Sequence, residues 1–263
     1  MATVKKVAEI MEKLFPPENV CMQDYIGLSV GSYDAEVYEA LVCLDCTEAV
    51  ANEAKQKGIK LIISHHPLIF GSISEVTDQT PTGRVILTLI KNGINLFSAH
   101  TNMDCSRGGI NEYVADILGL KNTSVLIKNE QGDAGVGIIG DVEPTTLVSL
   151  AQTVSNRLGD KYVKPYGKNE EIKRVAVING SGGDIEYIRE AKNQGATCFI
   201  TSEIKHHVAL YAVAEGVNLI ETGHYASERI FISKLTERLN EQSSSQRLKM
   251  QFITSESESN PAL

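Results

Sequence analysis

Histidine is scarce in this 263-residue chain, with six copies, and the placement of those six is the first indication of chemistry. His65 and His66 lie in Ser64-His65-His66-Pro67, His100 opens His100-Thr101-Asn102-Met103-Asp104, His206 and His207 are adjacent, and His224 stands four residues before Glu228. Imidazole with carboxylate is a donor set for zinc, manganese, iron or cobalt, and imidazole also moves protons near neutral pH. In mid-strand, neighbouring side chains point to opposite faces, so His65 and His66 could not share a site there. At a strand exit the chain can bend. Pro67 removes an amide donor and biases His66 toward an extended backbone, which lets both rings reach one cavity. If a helix begins near 224, His224 and Glu228 fall on one of its faces, the spacing that metal-binding helices use. Such a pair is common by itself, and its weight comes from the His-His-Pro exit and the Asp that follows His100.

The elements that must position these residues follow an α/β pattern. A helix is expected over about 3–14, ended by Pro16-Pro17. Glu39 to Asp45 reads as an apolar strand, Glu48 to Lys57 as a helix from the spacing of Ala49, Val50 and Ala54, Gly58 as its stop, and Ile59 to Ser64 as a second strand. This β-α-β unit is the signature of a mainly parallel sheet with covered faces. A helix over 84–92, a strand over 94–98 and a strand over 174–178 continue it, so every histidine lies just beyond an expected strand end. Glu53 to Ser64 also aligns without a gap with Glu190 to Thr201, and Gly93-Ile94-Asn95-Leu96-Phe97 echoes Gly216-Val217-Asn218-Leu219-Ile220. Two matches in the same order predict a duplicated α/β lobe. Strand ends at 64, 98, 201 and 221 then become equivalent places, and α/β proteins bind ligands outside such carboxyl ends. The polar, Ser-rich stretch from about Glu241 is expected to be loop or frayed end, with Gln251-Phe252-Ile253 able to add one last strand.

Composition narrows the classes. Twenty-five Lys and Arg against 33 Asp and Glu give a net charge of −8, with 42% hydrophobic and 22% charged residues, which fits a chain with a sizeable core and excludes collagenous, coiled-coil and low-complexity readings. The acidic balance counts against nucleic acid as a partner. No apolar run approaches the roughly eighteen residues of a membrane span, and Met1 to Phe15 reads as an amphipathic helix rather than a signal peptide, so a soluble, cytoplasmic protein with no membrane partner is expected. Five cysteines, an odd number, argue against a disulfide framework. Cys43 and Cys46 form a C-x-x-C inside an apolar strand and its exit, with no second pair to complete a zinc site, so packing is their expected role. Cys105 is read as a neighbour of Asp104.

Two motifs keep two readings each. Asn179-Gly180-Ser181-Gly182-Gly183-Asp184 lies between a strand and a helix, where Gly180, Ser181, Gly182 and Gly183 could cradle a substrate phosphate or simply make a tight turn. Of His206 and His207, one could serve a site as a proton donor, or both could sit on the surface of the following helix.

His65-His66-Pro67-Leu68-Ile69-Phe70, His100-Thr101-Asn102-Met103-Asp104, Gly180-Ser181-Gly182-Gly183 and Gly223-His224-Tyr225-Ala226-Ser227-Glu228, in this order and at these separations, resemble the GTP cyclohydrolase I type 2-like, or Nif-three-like, family over the full length. The resemblance implies an α/β fold of two intertwined, duplicated α/β repeats with mixed, mainly parallel sheets, here over about 1–125 and 126–263, assembled as a ring-shaped homohexamer. It also implies a two-metal centre held by His65, His66, Asp104, His224 and Glu228. Five ligands are too many for one open zinc site and suit two divalent ions about 3.5–4 Å apart, bridged by a carboxylate.

The implied activity is that of a metal-dependent hydrolase in which hydroxide attacks a purine nucleotide, or a phosphoester instead. His100 would act as general acid or base or orient Asp104, and His207 is a further candidate. A metal-handling or regulatory protein without turnover is the alternative, and a purely structural interaction module is the least favoured. This chain has Asp24-Tyr25 where the family usually has Asp-Asn, and Thr201-Ser202-Glu203 where it has Thr-Gly-Asp. Substrate preference is therefore not carried over.

Overall fold

Leu61-Ile62-Ile63-Ser64 is buried along its whole length, as a central strand must be when both faces of a parallel sheet are covered. In the computed structural model, which describes residues 2–21, 23–130 and 132–262, the chain forms two units, one of Met1–Met103 with Ile232–Leu263 and the other of Asp104–Phe231. The first contains β1 (Ala2–Thr3), α1 (Val4–Leu14), β2 (Gly27–Val30), β3 (Glu36–Val37), β4 (Glu39–Cys43), α2 (Glu48–Lys57), β5 (Leu61–Ser64), α3 (Pro81–Lys91) and β6 (Asn95–Ser98). A short helix, α4 (Thr101–Cys105), leads into the second unit, with α5 (Ile110–Leu118), β7 (Lys121–Lys128), β8 (Gly135–Thr146), α6 (Leu147–Leu158), β9 (Lys164–Tyr166), β10 (Glu171–Val177), α7 (Ile185–Asn193), β11 (Cys198–Ser202), α8 (His206–Ala214) and β12 (Asn218–Thr222). Helix α9 (His224–Ser245) carries the chain back to the first unit, where β13 (Gln251–Thr254) follows.

The main sheet of each unit has a parallel core, and β1 and β3 pair apart from it as a two-stranded antiparallel sheet in the first unit. The first has the order β13-β4-β5-β6-β2, with only β2 antiparallel to its neighbour. Helices α2 and α3 lay Val50, Ala51, Ala54, Val85, Ile86 and Leu89 against Leu41, Ile62 and Leu96 of this sheet. Each Val, Ile and Leu among them withdrawn from water contributes about 1.5–3 kcal/mol before the entropy of ordering is counted, and each Ala less. Thr47 and Thr80 cap the two helices through their hydroxyls, and Gly58, at φ +72°, ends α2 in the left-handed conformation that glycine adopts without strain. The second sheet has the order β7-β8-β10-β11-β12-β9, with β10, β11 and β12 parallel. There α7 and α8 cover Ala176, Phe199 and Leu219 with Ile188, Ala191, Val208 and Ala212.

The duplication is visible residue by residue. Asn95 and Asn218, matched in the internal alignment, both begin a strand and both are buried. The backbone N–H of Asn95 donates to Lys60 O and that of Asn218 to Thr197 O, each at 2.9 Å. Each Asn Oδ1 accepts a backbone N–H from the approach to the antiparallel edge, Ser32 N at 2.8 Å in one unit and Lys168 N at 2.8 Å in the other. Gly31 (φ +112°) and Gly167 (φ +119°) stand where a Cβ would run into those amides. The fold is therefore a duplicated α/β one with mixed sheets, interleaved along the chain because residues after Phe231 return to the first unit.

Several boundaries differ from expectation. The second-half strands end at Ser202 and Thr222, one residue later than the alignment suggests. Helix α9 runs on to Ser245, and the Ser-rich tail is anchored rather than frayed. The Glu53 carboxylate, 6% exposed, accepts from Ser255 Oγ (2.6 Å), Ser257 N (3.0 Å), Glu256 N (3.2 Å) and Lys57 Nζ (2.7 Å). The expected last strand is present as β13. Cys43 and Cys46 are buried, and burial together with the charge of Asp45 pushes the Cys46 thiol up to about 12, consistent with a packing role. Among the described residues no helix is long and apolar enough to cross a membrane.

Candidate metal centre

The exits of β5 and β6 gather three histidines within the first unit. The backbone of His65 and His66 still pairs with the β4 side, through N–H groups donated to Cys43 O (3.1 Å) and Leu44 O (2.9 Å). Ser64 Oγ bonds His66 O at 2.8 Å and Ser98 Oγ at 2.9 Å, tying the two strand ends together. The chain bends here as expected, because the His65 and His66 ring centroids lie 4.8 Å apart rather than on opposite faces. His100 joins them at 5.2 Å from His65 and 5.6 Å from His66. One ring nitrogen from each of the three lies within 4.8 Å of the others, close enough to hold one ion.

The partners of these rings decide which nitrogen faces the cluster. His65 Nδ1 meets Ala99 O at 3.0 Å, His66 Nδ1 meets Asp45 Oδ1 at 2.9 Å, and His100 Nδ1 meets Asp24 Oδ1 at 2.8 Å. A carbonyl oxygen and ionised carboxylates only accept, so each Nδ1 carries a proton, and in the neutral ring Nε2 then carries the lone pair a cation needs. Asp24 is held further by Thr101 N (2.9 Å) and Thr101 Oγ1 (2.6 Å). Burial raises its pKa, and the bonds from His100 and Thr101 outweigh that, holding the carboxyl well below the usual carboxylate range. Glu258 accepts the Asp45 N–H at 2.6 Å, so the anchored tail also steadies the partner of His66.

The second unit repeats the device at the start of α9. His224 Nδ1 meets Glu203 Oε1 at 2.7 Å, and His224 Nε2 stands 3.0 Å from Glu228 Oε2, with Glu228 only 3% exposed. A lone pair and a carboxylate oxygen at that distance repel unless positive charge lies between them, and a buried carboxylate requires such compensation. The donor set therefore fits a cation. Gly180, at φ +65°, forms one wall of this pair, where a Cβ would collide with Glu228 Oε1. Glu203 itself lies at φ +57°, a conformation rare outside glycine and often found where function holds it. The His224 bond lowers the Glu203 pKa, burial opposes this, and Ser181 adds to the lowering.

The other expected residues are placed as follows. Asp104 belongs to α4 and receives the Asn111 side-chain amide at its carbonyl oxygen, 3.1 Å. His206 and His207 are exposed in the first turn of α8. In the Gly-rich turn, Gly182 N and Asp184 N donate to Gly180 O and Gly182 O, both at 2.9 Å, and Asp184 caps α7 through Glu186 N. The residues that hold the imidazoles, Asp24, Asp45 and Glu203, had not been singled out as such. Asp24 and Asp160 stand the same distance before Gly31 and Gly167, and Asp160 Oδ2 accepts Gly223 N at 2.6 Å much as Asp24 accepts Thr101 N. The internal repeat thus contained a signal for one of them. Both departures from the family pattern, Tyr25 beside Asp24 and Glu203 itself, adjoin the groups that orient a histidine.

Replacing Glu203 by Gln is expected to weaken divalent-ion binding about 10–100-fold, the range for an outer partner of a ligating histidine, with Glu203→Asp recovering part of the loss. Competition against a chromophoric chelator reads this directly, and an unchanged affinity in Glu203→Gln would refute the role.

Fold and site define a class, the duplicated α/β proteins whose strand ends gather oriented histidines and carboxylates able to hold a metal ion. The family model described as Duf34/NIF3 (NGG1p interacting factor 3) matches residues 2–261, and the chain belongs to this family. It is 35% identical over 258 residues to a Clostridium perfringens protein named GTP cyclohydrolase 1 type 2 homolog, covering 97% of each chain. A Clostridium acetobutylicum protein of the same name is 34% identical over 240 residues, covering 90% of this chain and 89% of the relative. Among solved structures, a Staphylococcus aureus hypothetical protein superposes with a TM-score of 0.91 at 31% identity, covering 99% of this chain and 98% of the other. A Bacillus cereus protein related to NIF3 has the same fold, with a TM-score of 0.92 at 24% identity and coverage of 99% and 98%.

Proposed function

We propose that this protein is a metal-dependent hydrolase acting on a nucleotide or phosphoester, with two divalent ions held by His65, His66, Asp104, His224 and Glu228. The observation that carries the reading is the shared arrangement of three imidazoles, His65, His66 and His224, each bonded at Nδ1 to an acceptor that leaves Nε2 as the donor to a cation, with His100 oriented in the same way by Asp24 beside them. Zinc, manganese, iron and cobalt all suit these donors. When bound, such an ion pair lowers the pKa of coordinated water and stabilises negative charge developing on the substrate. The nucleotide preference rests on the resemblance and on the name GTP cyclohydrolase 1 type 2 homolog borne by the relatives.

The chain's own groups supply the rest. His100 receives a proton at Nε2 while Asp24, on Nδ1, stabilises the imidazolium that results. His207, exposed at the start of α8, is the second group proposed for proton transfer. Ser181 and Gly183 are the turn residues proposed to meet a phosphate, with Gly180 and Gly182 shaping the turn. A cytoplasmic, ring-shaped homohexamer, with its repeat boundary near residue 125, completes the reading on the same resemblance.

Formate and phosphate release from GTP, measured side by side on metal-loaded protein, test it. Formate identifies ring opening and phosphate identifies phosphoester cleavage. His100→Gln is expected to lower either rate about 100-fold or more without loss of metal, as for removal of a general acid or base. No turnover of either kind, together with transfer of the ion to an apo-acceptor, would establish a metal-handling protein instead.

A further inference from the structure

The loop after His66-Pro67 divides its apolar residues unequally. Leu68 and Ile69 pack against the core of the first unit, whereas Phe70, next in sequence, is 69% exposed. Tyr25, 38% exposed, meets the Phe70 ring edge-on, with centroids 5.1 Å apart and planes at 63°. Phe70 stands 6.4 Å from the His100 ring at 85°. Two of the three rings have a common anchor, because Asp24 Oδ1 accepts both His100 Nδ1 and the Tyr25 backbone N–H at 2.8 Å. One carboxylate thus sets the imidazole and the backbone that carries the phenol, with Phe70 against both rings.

An aromatic surface left in water does nothing for the stability of the isolated fold, and it is held beside the polar groups expected to do chemistry. We propose that Tyr25 and Phe70 form the wall on which a flat heteroaromatic ring of the substrate, a purine-type base, stacks, with its edge presented to His100. The mutually inclined rings offer a π-face and an aromatic edge, the two geometries in which aromatic groups pair. His100 Nε2, outside the proposed ligand set, and the Tyr25 hydroxyl suit the ring nitrogens and oxygens of a base and have nothing to offer an aliphatic chain. A phosphoester lacking such a ring gains nothing from the wall, so the feature selects the nucleotide branch of the proposed function. The fate of the bound ring rests on that function, and the binding of the ring does not.

Calorimetric titration with guanosine and with ribose 5-phosphate, on metal-loaded and on chelator-treated protein, tests the proposal. Guanosine is expected to bind in both states. Phe70→Ala should weaken it between about 5-fold and 150-fold, the span given by loss of base–aromatic stacking, and leave ribose 5-phosphate unchanged. Phe70→Tyr should retain most of the affinity. Guanosine bound no more tightly than ribose 5-phosphate, or bound equally by Phe70→Ala and wild type, would overturn the wall. If sedimentation shows that Phe70→Ala breaks an assembly while guanosine affinity is unchanged, the face is a contact between copies and the proposal is likewise overturned. Ion content separates the two readings. Protein that binds guanosine but takes up no metal keeps the wall and loses the hydrolase, whereas protein that takes up metal but not guanosine does the reverse.

Discussion

Glu228→Gln protein is expected to bind divalent ions at least about 100-fold more weakly than wild type, beyond the range for loss of an outer hydrogen-bond partner. The reason is electrostatic. Glu228 is a buried carboxylate whose Oε2 stands 3.0 Å from His224 Nε2, and Glu203 already takes the proton of Nδ1. A cation held by both atoms would resolve the repulsion in wild type. In the variant, the Gln amide can donate to Nε2 and resolve it without an ion, so the fold is expected to persist with the donor charge gone. Chelator competition at neutral pH measures the affinity, and thermal unfolding of the ion-free proteins verifies that structure is kept. Wild-type affinity in Glu228→Gln would show that the 3.0 Å contact is only an ion pair of a protonated His224.

The second large effect concerns stability. Glu53→Gln is expected to lose up to about 3 kcal/mol at pH 7, because the Glu53 carboxyl is displaced from its ordinary 4.5 to about 2. Burial pushes that value up, and the bonds from Lys57, Ser255, Glu256 and Ser257 more than reverse it. A depressed carboxylate contributes its stability in full above about pH 4.5 and loses it progressively as the pH falls towards 2. The difference between wild type and variant should therefore be largest above pH 5 and shrink between pH 4.5 and 2. Urea unfolding at a series of pH values checks the sign. Hydrogen exchange at Glu256 and Ser257, whose amides this carboxylate holds, checks the cause. Parallel acid limbs for the two proteins would eliminate Glu53 as the anchor of the tail.

What was legible in the sequence was whatever local pattern fixes. Fully buried parallel strands read as short apolar runs, the stop of α2 read as Gly58, and the pairing of Asn95 with Asn218 survived in two similar pentapeptides. The histidines were legible because every copy of a rare residue followed an expected strand end. Their orientation was not, since Asp45 lies 21 positions from His66 and Asp24 lies 76 from His100, and nothing local joins such pairs. Strand β7 was missed for another reason. It is an edge strand with Lys121 to Ser124 exposed, so it lacks the alternation that marks a half-buried strand. The tail after Thr254 is loop, as expected, but its anchoring was not legible, because its serines and glutamates look unstructured until Glu53 is seen to gather them.

The interleaving of the two units has a consequence for biosynthesis. Strand β13 aligns Gln251 to Thr254 beside Glu39 to Val42, so the first sheet to be made must wait at one edge for a segment translated much later. The second unit is one continuous stretch, complete once Phe231 has left the ribosome. The later-encoded half is thus the first able to reach its finished form during translation, and the open flank of β4 is the place where a nascent chain of this protein is most exposed to chaperones or to mispairing.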